Sequence, residues 1–583
     1  MGVQVGQILR QAARRFADRC ALVDLGQPGA PRREFSFGQL DRMARRAAAQ
    51  LQAAGIQRGD RVALLAENQA ELVALWFGCA YAGAAVVPIN VLAGAPELAQ
   101  RVEHAGAKLI VHDAARVELA QRALDAIAGQ TRELSSPGTD REKVAPLAAS
   151  PATADAVADR QRAGSIDRGD PAVQQPMAAN AAARDGKARP EPTAQRSMPT
   201  SADASVAARS LDAFDWQGGE ELAYPVDCAP NDTALVLYTS GTTGKPKGAA
   251  ISHASLLLHT MLLVQHALGL TPDDRVLCPL PLSHSYGCRL GMLAPFYAGA
   301  RIVVMPRFEA ERSFRALQDE SISWLPAVPT MFAAWGQLRA AEKPSHLRWA
   351  LCAGAPLALA VAERAEAKLG APVRQGYGMT EATFCTIDAP PDERTPGSVG
   401  KPIWGIELRV VDDAGRDLPP GQSGEVLVRG HNVMTHYLFD AEATQDVAPD
   451  GWVRSGDVGR LDADGRLFIV DRIKDLIIRG GYNVYPSELE SALGEHPGVS
   501  AVAVIGEPDE YYGERVLAIV VPSPGAAPSV AELQAFAAER LSRIKLPQAY
   551  AFVSELPLGA SGKVEKRRLR DYLALGRFAL ERV

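Results

Sequence analysis

The segment from Thr233 to Gly248 limits the fold more than any other part of this 583-residue chain. A β-branched, apolar run from Thr233 to Tyr238 passes without a break into Thr239-Ser-Gly-Thr-Thr-Gly-Lys-Pro-Lys-Gly248. A strand that ends in such a loop offers backbone N–H groups, hydroxyls and the ammonium groups of Lys245 and Lys247 to a polyphosphate. It is not a Walker A loop, which needs Gly, four residues, then Gly-Lys-Ser/Thr. Five places after Gly241 stands Pro246, and five after Gly244 stands Ala249.

The surrounding sequence alternates helical periods with short buried runs. Phe37 to Ile56 reads as an amphipathic helix stopped near Gly55, and Arg61 to Ala66 and Leu109 to His112 read as strands. Arg301 to Met305, Ser323 to Leu325 and Ala350 to Cys352 continue the alternation, which predicts βαβ units and a parallel sheet. Leu72 to Ala95 carries no charge and is long enough to span a bilayer, but Gly78, Gly83, Pro88 and Asn90 punctuate it. Tyr81 to Pro88 reads as a helix end, a glycine stop and a short buried strand, so no integral membrane association is expected.

Near Gly397 the texture turns to glycine-punctuated β, with Glu407 to Val411, Gly424 to Arg429 and Leu467 to Val470. From about Asp475 a last segment shows βαβ character of its own, with Val499 to Ile505, Arg515 to Val521 and a helix from Ser529 to Arg543. A separate C-terminal domain of about one hundred residues is expected there. Between Ser135 and Arg209 the chain is rich in Ala, Pro, Ser, Arg and Asp and has no aromatic residue. It cannot bury enough apolar surface to offset its ordering entropy, and residues 135–209 are expected to be a disordered insertion.

Sixty-two basic against 68 acidic residues leave a net charge of -6, which argues against a partner held by a bulk basic field, nucleic acid above all. Seven cysteines without a close pair favour a reducing compartment. The first residues, MGVQVGQILRQAARRFADR, carry charge where a signal peptide needs an apolar core. A cytoplasmic location is expected.

The loop Tyr238 to Gly248 resembles the phosphate loop of the acyl-adenylate-forming superfamily, which includes acyl-CoA synthetases, peptide-synthetase adenylation domains and firefly luciferase. Further motifs occur in that family's order. Gly376-Tyr-Gly-Met-Thr-Glu381 resembles its second nucleotide motif and Ser455-Gly-Asp457 its ribose motif. The run Asp471-Arg-Ile-Lys-Asp to Glu488 resembles its hinge segment, and Ser561-Gly-Lys563 its final lysine motif. The resemblance implies a large N-terminal domain, 1–473, of α/β subdomains plus a β-rich subdomain, and a small mobile α+β C-terminal domain, 474–583, hinged at Lys474. It also implies ATP, Mg²⁺ and coenzyme A as reactants.

In that chemistry a carboxylate attacks the α-phosphorus of ATP, expels pyrophosphate, and a thiol then captures the acyl-adenylate. Two anions must be brought together, which calls for cations and oriented dipoles. By resemblance, Thr239, Ser240, Gly241, Thr242, Thr243, Gly244, Lys245 and Lys247 hold the β- and γ-phosphates, Thr380 touches the α-phosphate and Glu381 binds Mg²⁺. Tyr377 stacks on adenine beside Gly354, Ala355 and Pro356, while Asp457 and Arg472 hold the ribose hydroxyls. Lys563 bridges the carboxylate and α-phosphate oxygens. In the second half-reaction the C-terminal domain rotates, and Gly480 and Gly481 line a pantetheine tunnel.

Leu280-Pro-Leu-Ser-His-Ser-Tyr-Gly287 carries His284 where amino-acid-activating domains usually place an Asp, which resembles acyl-CoA synthetases and argues against an α-amino acid. The expected substrate is a small-molecule carboxylic acid, fatty or other organic. His284 and Tyr286 are placed at the mouth of the acyl pocket, with Trp324 and Met379 as candidate lining and core packing as the other reading of Trp324. Arg289, in an apolar run, either pairs with a second carboxylate on the substrate or snorkels to the surface. Only twenty residues follow Lys563, too few for a fused carrier domain. Free coenzyme A is the expected acceptor and a separate acyl-carrier protein the alternative. Leu558 and Gly559 stand where the family more usually has a basic residue and a Thr.

Overall fold

A computed structural model describes residues 3–135, 206–239, 246–339, 342–559 and 563–583. Two large sheets, each parallel at its centre, form the body of the N-terminal region. In the first, Val373–Tyr377, Trp349–Ala353, Trp324–Ala327, Arg275–Cys278, Arg301–Val304 and Cys20–Asp24 run parallel in that spatial order. Antiparallel strands close its edges, Thr386–Ile387 and Lys401–Pro402 on one side and Arg33–Ser36 on the other.

The second sheet sets Ala207–Ser210, Leu109–His112, Arg61–Leu65, Ala85–Pro88 and Thr233–Thr239 side by side and parallel. Lys247–Ser252 and His436–Tyr437 extend it antiparallel. The central parallel strands are buried on both faces, as βαβ crossovers require. Antiparallel pairs close three of the four edges, and the parallel strand Ala207–Ser210 forms the fourth.

From Leu72 on, the helix Ala70–Ala82 is buried all round, which accounts for the absence of charge after Glu71 without a membrane. It ends at Gly83, whose φ of 76° terminates it before the strand Ala85–Pro88. It packs on the helix Phe37–Ala53, which opens with Ser36 and Gln39 capping each other. A Cβ on Gly78 would stand 2.7 Å from Ala47 Cβ, so that contact needs a glycine. Among the described residues no helix is long and apolar enough to cross a membrane.

Residues 406–472 form a four-stranded antiparallel sheet, Ile406–Val411, Gly424–Gly430, Val453–Leu461 and Leu467–Arg472. The C-terminal sheet begins at Ile477–Arg479 and has its own two apolar clusters, one on each face. Here the βαβ reading needs correcting. Val499–Asp509 and Gly513–Pro522 are an antiparallel hairpin, and the parallel crossover comes next, through the helix Val530–Ala538 to Ala549–Phe552. That helix starts where expected, with Ser529 and Glu532 as a capping box, but stops five residues short of Arg543.

The proposed insertion is too wide at both ends. Ser135 closes the helix Val117–Ser135, and Ala207–Ser210 is an edge strand paired with Leu109–His112. Composition misses it because an edge strand is held by backbone hydrogen bonds and its side chains stay largely exposed. The guanidinium of Arg209 lies 3.9 Å from the Phe214 ring centroid and donates to Gln50 Oε1 at 2.7 Å. The remainder, 136–205, lies outside the described residues.

Candidate active site

The register of the sheets gathers the motif residues. Thr239 pairs with Lys247 across the hairpin that carries the phosphate loop, and Ala249 pairs with Tyr437 on the next strand. Ser240, Gly241, Thr242, Thr243, Gly244 and Lys245 lie outside the described residues. Lys247 Nζ stands 5.3 Å from the centre of the Tyr437 ring. The Tyr437 hydroxyl donates to Glu381 Oε1 at 2.6 Å, and burial together with that carboxylate pushes the phenol well up. The bridge Ala382–Val433 and the bond from Met434 N to Glu381 O at 2.7 Å fix the Glu381 backbone. A lysine, a tyrosine and a carboxylate are thereby assembled at the base of the phosphate loop. No sequence pattern marks Tyr437; its place follows from strand pairing across nearly two hundred residues.

The residues expected to hold the nucleoside meet at the carboxyl ends of neighbouring parallel strands, where α/β sheets bind ligands. Ala353 pairs with Gly376, so Gly354 and Tyr377 follow side by side. Tyr377 donates its hydroxyl to Asp457 Oδ2 at 2.6 Å, and Asp457 Oδ1 takes Arg472 Nε at 3.1 Å. Asp457 is 3% exposed and faces Arg472 directly across the antiparallel pair. A carboxylate has about four acceptor positions, so two remain for further hydroxyl donors. Ser455 Oγ accepts from Asp457 N at 3.0 Å and fixes the turn.

Lys563 arrives from the C-terminal domain. The unusual Leu558 and Gly559 are accommodated: Leu558 bridges Val564, and Gly559 N donates to Lys563 O at 2.7 Å. The side chain reaches over Gly354, where a Cβ would stand 3.4 Å from Lys563 Cε. The φ of 95° at Gly354 also disfavours any side chain. Leu280, Pro281, His284, Tyr286, Val328, Gly354 and Lys563 line one small cavity. Burial, reinforced by the charges of Arg472 and Lys474, pushes the Lys563 ammonium down to about 8.

Burial, with a contribution from Lys563, holds His284 down to about 4, so its imidazole is neutral at pH 7. Its Nδ1 accepts from Tyr286 N at 3.2 Å, which leaves the proton on Nε2, a neutral donor. Asn68 anchors the preceding loop, donating to Leu280 O at 2.8 Å and accepting from Leu282 N at 2.9 Å. Tyr286 donates to Leu351 O at 2.6 Å and sets its ring edge against Phe384, with centroids 5.0 Å apart.

Other candidates fall elsewhere. Trp324 is fully buried against Trp349, with centroids 5.6 Å apart, and belongs to the core; its strand brings Val328, and not the indole, to the cavity. Met379 is half-buried in the loop beyond Tyr377, its N–H bonded to Ala382 O at 3.1 Å. Thr380, Ala355 and Pro356 are partly exposed or exposed on the loops that follow these strands. Arg289 is fully buried, which removes the surface alternative. Lys474 is exposed in the turn Ile473–Asp475. Gly480 and Gly481, both with positive φ, form the tip of the hairpin Ile477–Val484 and do not line the cavity beside Lys563.

The profile described as AMP-binding enzyme matches residues 9–438, and that of the AMP-binding enzyme C-terminal domain matches 488–563. The chain belongs to the AMP-binding enzyme family. It is 33% identical over 541 residues to a feruloyl-CoA synthase of an Amycolatopsis species, covering 92% of this chain and 93% of that protein. It is 30% identical over 551 residues to the fatty acid–[acyl-carrier-protein] ligase ScoC of Streptomyces coeruleorubidus, covering 92% of each. The ATP-bound structure of MatB from Rhodopseudomonas palustris matches with a TM-score of 0.78 at 27% identity, covering 99% of this chain and all of that one. As an AMP-binding enzyme, the chain is an ATP-dependent acid–thiol ligase: it forms an acyl-adenylate, releases pyrophosphate and transfers the acyl group to a thiol.

Proposed function

We propose that the residues gathered around Lys563 divide this reaction as follows, with free coenzyme A as the acceptor. The observation that carries the reading is the position of Lys563 over Gly354, next to a neutral His284, in one cavity. Its ammonium bridges the attacking carboxylate and the α-phosphate, and His284 Nε2–H donates to the same oxygens without adding charge. Tyr377 carries adenine, and the free acceptor positions of Asp457, with Arg472, take the ribose hydroxyls. Thr380 serves the α-phosphate, and the loop ending in Lys247 holds the β- and γ-phosphates.

Glu381 suits a hard divalent cation that takes most of its ligands from phosphate and water: Tyr437 engages Oε1, and Oε2 can ligate. Among the described residues there is no cluster of three or more metal-ligating side chains, which agrees with a magnesium ion held largely by its nucleotide. Such an ion would neutralise charge on the triphosphate.

The antiparallel sheet ends at Arg472 and the C-terminal sheet begins at Ile477, which supports a boundary between residues 473 and 474 with Lys474 as the hinge. Asp475 already belongs with the far side, paired with Arg570 at 3.0 Å. Rotation there withdraws Lys563 and brings in Gly480-Gly481, whose lack of Cβ atoms admits a pantetheine arm. Seven free cysteines, six of them buried, support a cytoplasmic setting.

The acceptor is tested by supplying free coenzyme A or a phosphopantetheinylated carrier protein and following the thioester by mass. Saturable thioester formation with free coenzyme A is expected. Turnover with a carrier alone would establish the other acceptor, for which the likeness to ScoC speaks.

A pH profile follows from Lys563. In the free enzyme its ammonium deprotonates near 8, so kcat/KM for pyrophosphate release should fall as pH rises through about 8. Bound ATP and carboxylate favour the charged form, so kcat should hold to higher pH. A folded pKa below the ordinary 10.5 of lysine also means that docking of the C-terminal domain strengthens as pH rises between about 8 and 10.5. Lys563→Arg keeps its charge and should lose the alkaline limb of kcat/KM; a limb unchanged in that variant would show that another group titrates.

A further inference from the structure

His284 and Tyr286 open a short α-helical turn, Ser285–Cys288, that passes into a π-helical turn, Arg289–Leu293. Arg289 is 0% exposed there. Its Nη1 contacts His259 Nδ1 at 3.0 Å, while Nε and Nη2 have no hydrogen-bond partner among the described residues. Among the described residues no carboxylate pairs with it, and burial brings the guanidinium down to about 10, still charged at neutral pH. A buried cation left without a counter-charge costs several kcal/mol. A fold does not retain such an expense in its core without a return.

The surroundings are neutral. His259 Nε2 meets Phe384 O at 3.0 Å, so it carries the ring proton and Nδ1 accepts from Arg289. Burial and the charge of Arg289 hold His259 far below the ordinary histidine range, and His431, with its ring centroid 5.5 Å from that of His259, is also lowered. Ser285, one turn before Arg289 and on the same side of it, has a buried hydroxyl without a partner. The free pair Nε and Nη2 is the side of a guanidinium that takes a carboxylate through two parallel N–H···O bonds. The cluster connects to the reaction cavity by contact: Phe384, whose carbonyl meets His259, packs on Tyr286, which lines the cavity with Lys563.

We propose that Arg289, positioned by His259 and assisted by Ser285, binds a second carboxylate on the substrate, so that the preferred acids are dicarboxylic. The proposal rests on the placement of the acyl pocket beside His284 and Tyr286. Five residues separate His284 from Arg289, roughly 7 Å along a helical axis. The two carboxylates are therefore several bonds apart.

The test compares wild type, Arg289→Met, Arg289→Lys and Tyr286→Leu on matched pairs: butanoate and succinate, hexanoate and adipate, octanoate and suberate, 3-phenylpropanoate and 3-(4-carboxyphenyl)propanoate. The wild type should favour the dicarboxylic member of at least one pair by tenfold or more in kcat/KM for AMP release. Arg289→Met should abolish that preference and leave the monocarboxylic member within about threefold; Arg289→Lys, a charge without the two-pronged fork, should fall between. A wild type that prefers the monocarboxylic acid in every pair overturns the proposal even if no variant folds. Equal loss on both members in Arg289→Met also overturns it, since that is the signature of packing alone. If Tyr286→Leu changes acid selectivity and Arg289→Met does not, the pocket stands and the second carboxylate is refuted. If neither changes it, the pocket itself has been misplaced.

Discussion

Lys563→Ala is expected to slow acyl-adenylate formation by about a hundredfold or more, the usual loss when a preorganised electrostatic contact is removed from a site where charge develops. The size follows from its isolation. His284 beside it is neutral, and Arg472 is committed to Asp457, so among the described residues lining the cavity Lys563 alone carries a positive charge. Burial already makes its charge costly, and an anionic carboxylate and α-phosphate repay that cost as they approach. Transfer of a preformed acyl-adenylate to coenzyme A should fall far less, because the proposed rotation about Lys474 withdraws the lysine before that step. Single-turnover assays of the two half-reactions separate the cases. Equal loss in both would mean that Lys563 stabilises the fold of the C-terminal domain and has no part in bringing the anions together.

Asp457→Ala should raise the KM for ATP by tens of times or more while leaving the KM for the acid nearly unchanged. One buried carboxylate organises three things. It fixes the Tyr377 hydroxyl at 2.6 Å and pairs with Arg472 at 3.1 Å, and its remaining acceptor positions are free for the ribose. Hydrogen bonds to a charged group contribute roughly 1.5–3 kcal/mol each, so losing two to the nucleotide predicts an effect of that order or greater. The variant also strands a buried phenol, and a fall in Tm of several degrees should accompany the kinetic loss. Asp457→Asn keeps the shape and should recover part of the stability with less of the affinity. A folded Asp457→Ala protein with an unchanged KM for ATP would remove the ribose role.

Much of this was legible in the chain because it depends on local order. The strand before the phosphate loop, the glycine stop at Gly83, the helix start at Ser529 and the ordered motifs are all short-range patterns, and each lies where the sequence places it. What depends on register was not legible. Tyr437 reaches Glu381 because His436–Tyr437 pairs with a strand nearly two hundred residues earlier, and His259 reaches Arg289 from the helix His253–Leu263. Neither meeting leaves a trace in spacing. Trp324 shows the reverse difficulty: an aromatic residue on a buried strand reads equally as core and as pocket wall, and packing against Trp349 decides for the core. The strand Ala207–Ser210 escaped because backbone pairing has no composition.

In the proposed mechanism Lys563, His284 and the Asp457 cluster act together to join a carboxylate to the α-phosphate of ATP. Carboxylate-dependent exchange of labelled pyrophosphate into ATP, measured without coenzyme A, tests this most directly. Exchange should require an acid and should not require the thiol; adding coenzyme A should then yield AMP and a thioester in equal amounts. Absence of exchange across a panel of mono- and dicarboxylic acids, or the formation of ADP and phosphate in place of AMP and pyrophosphate, would contradict it.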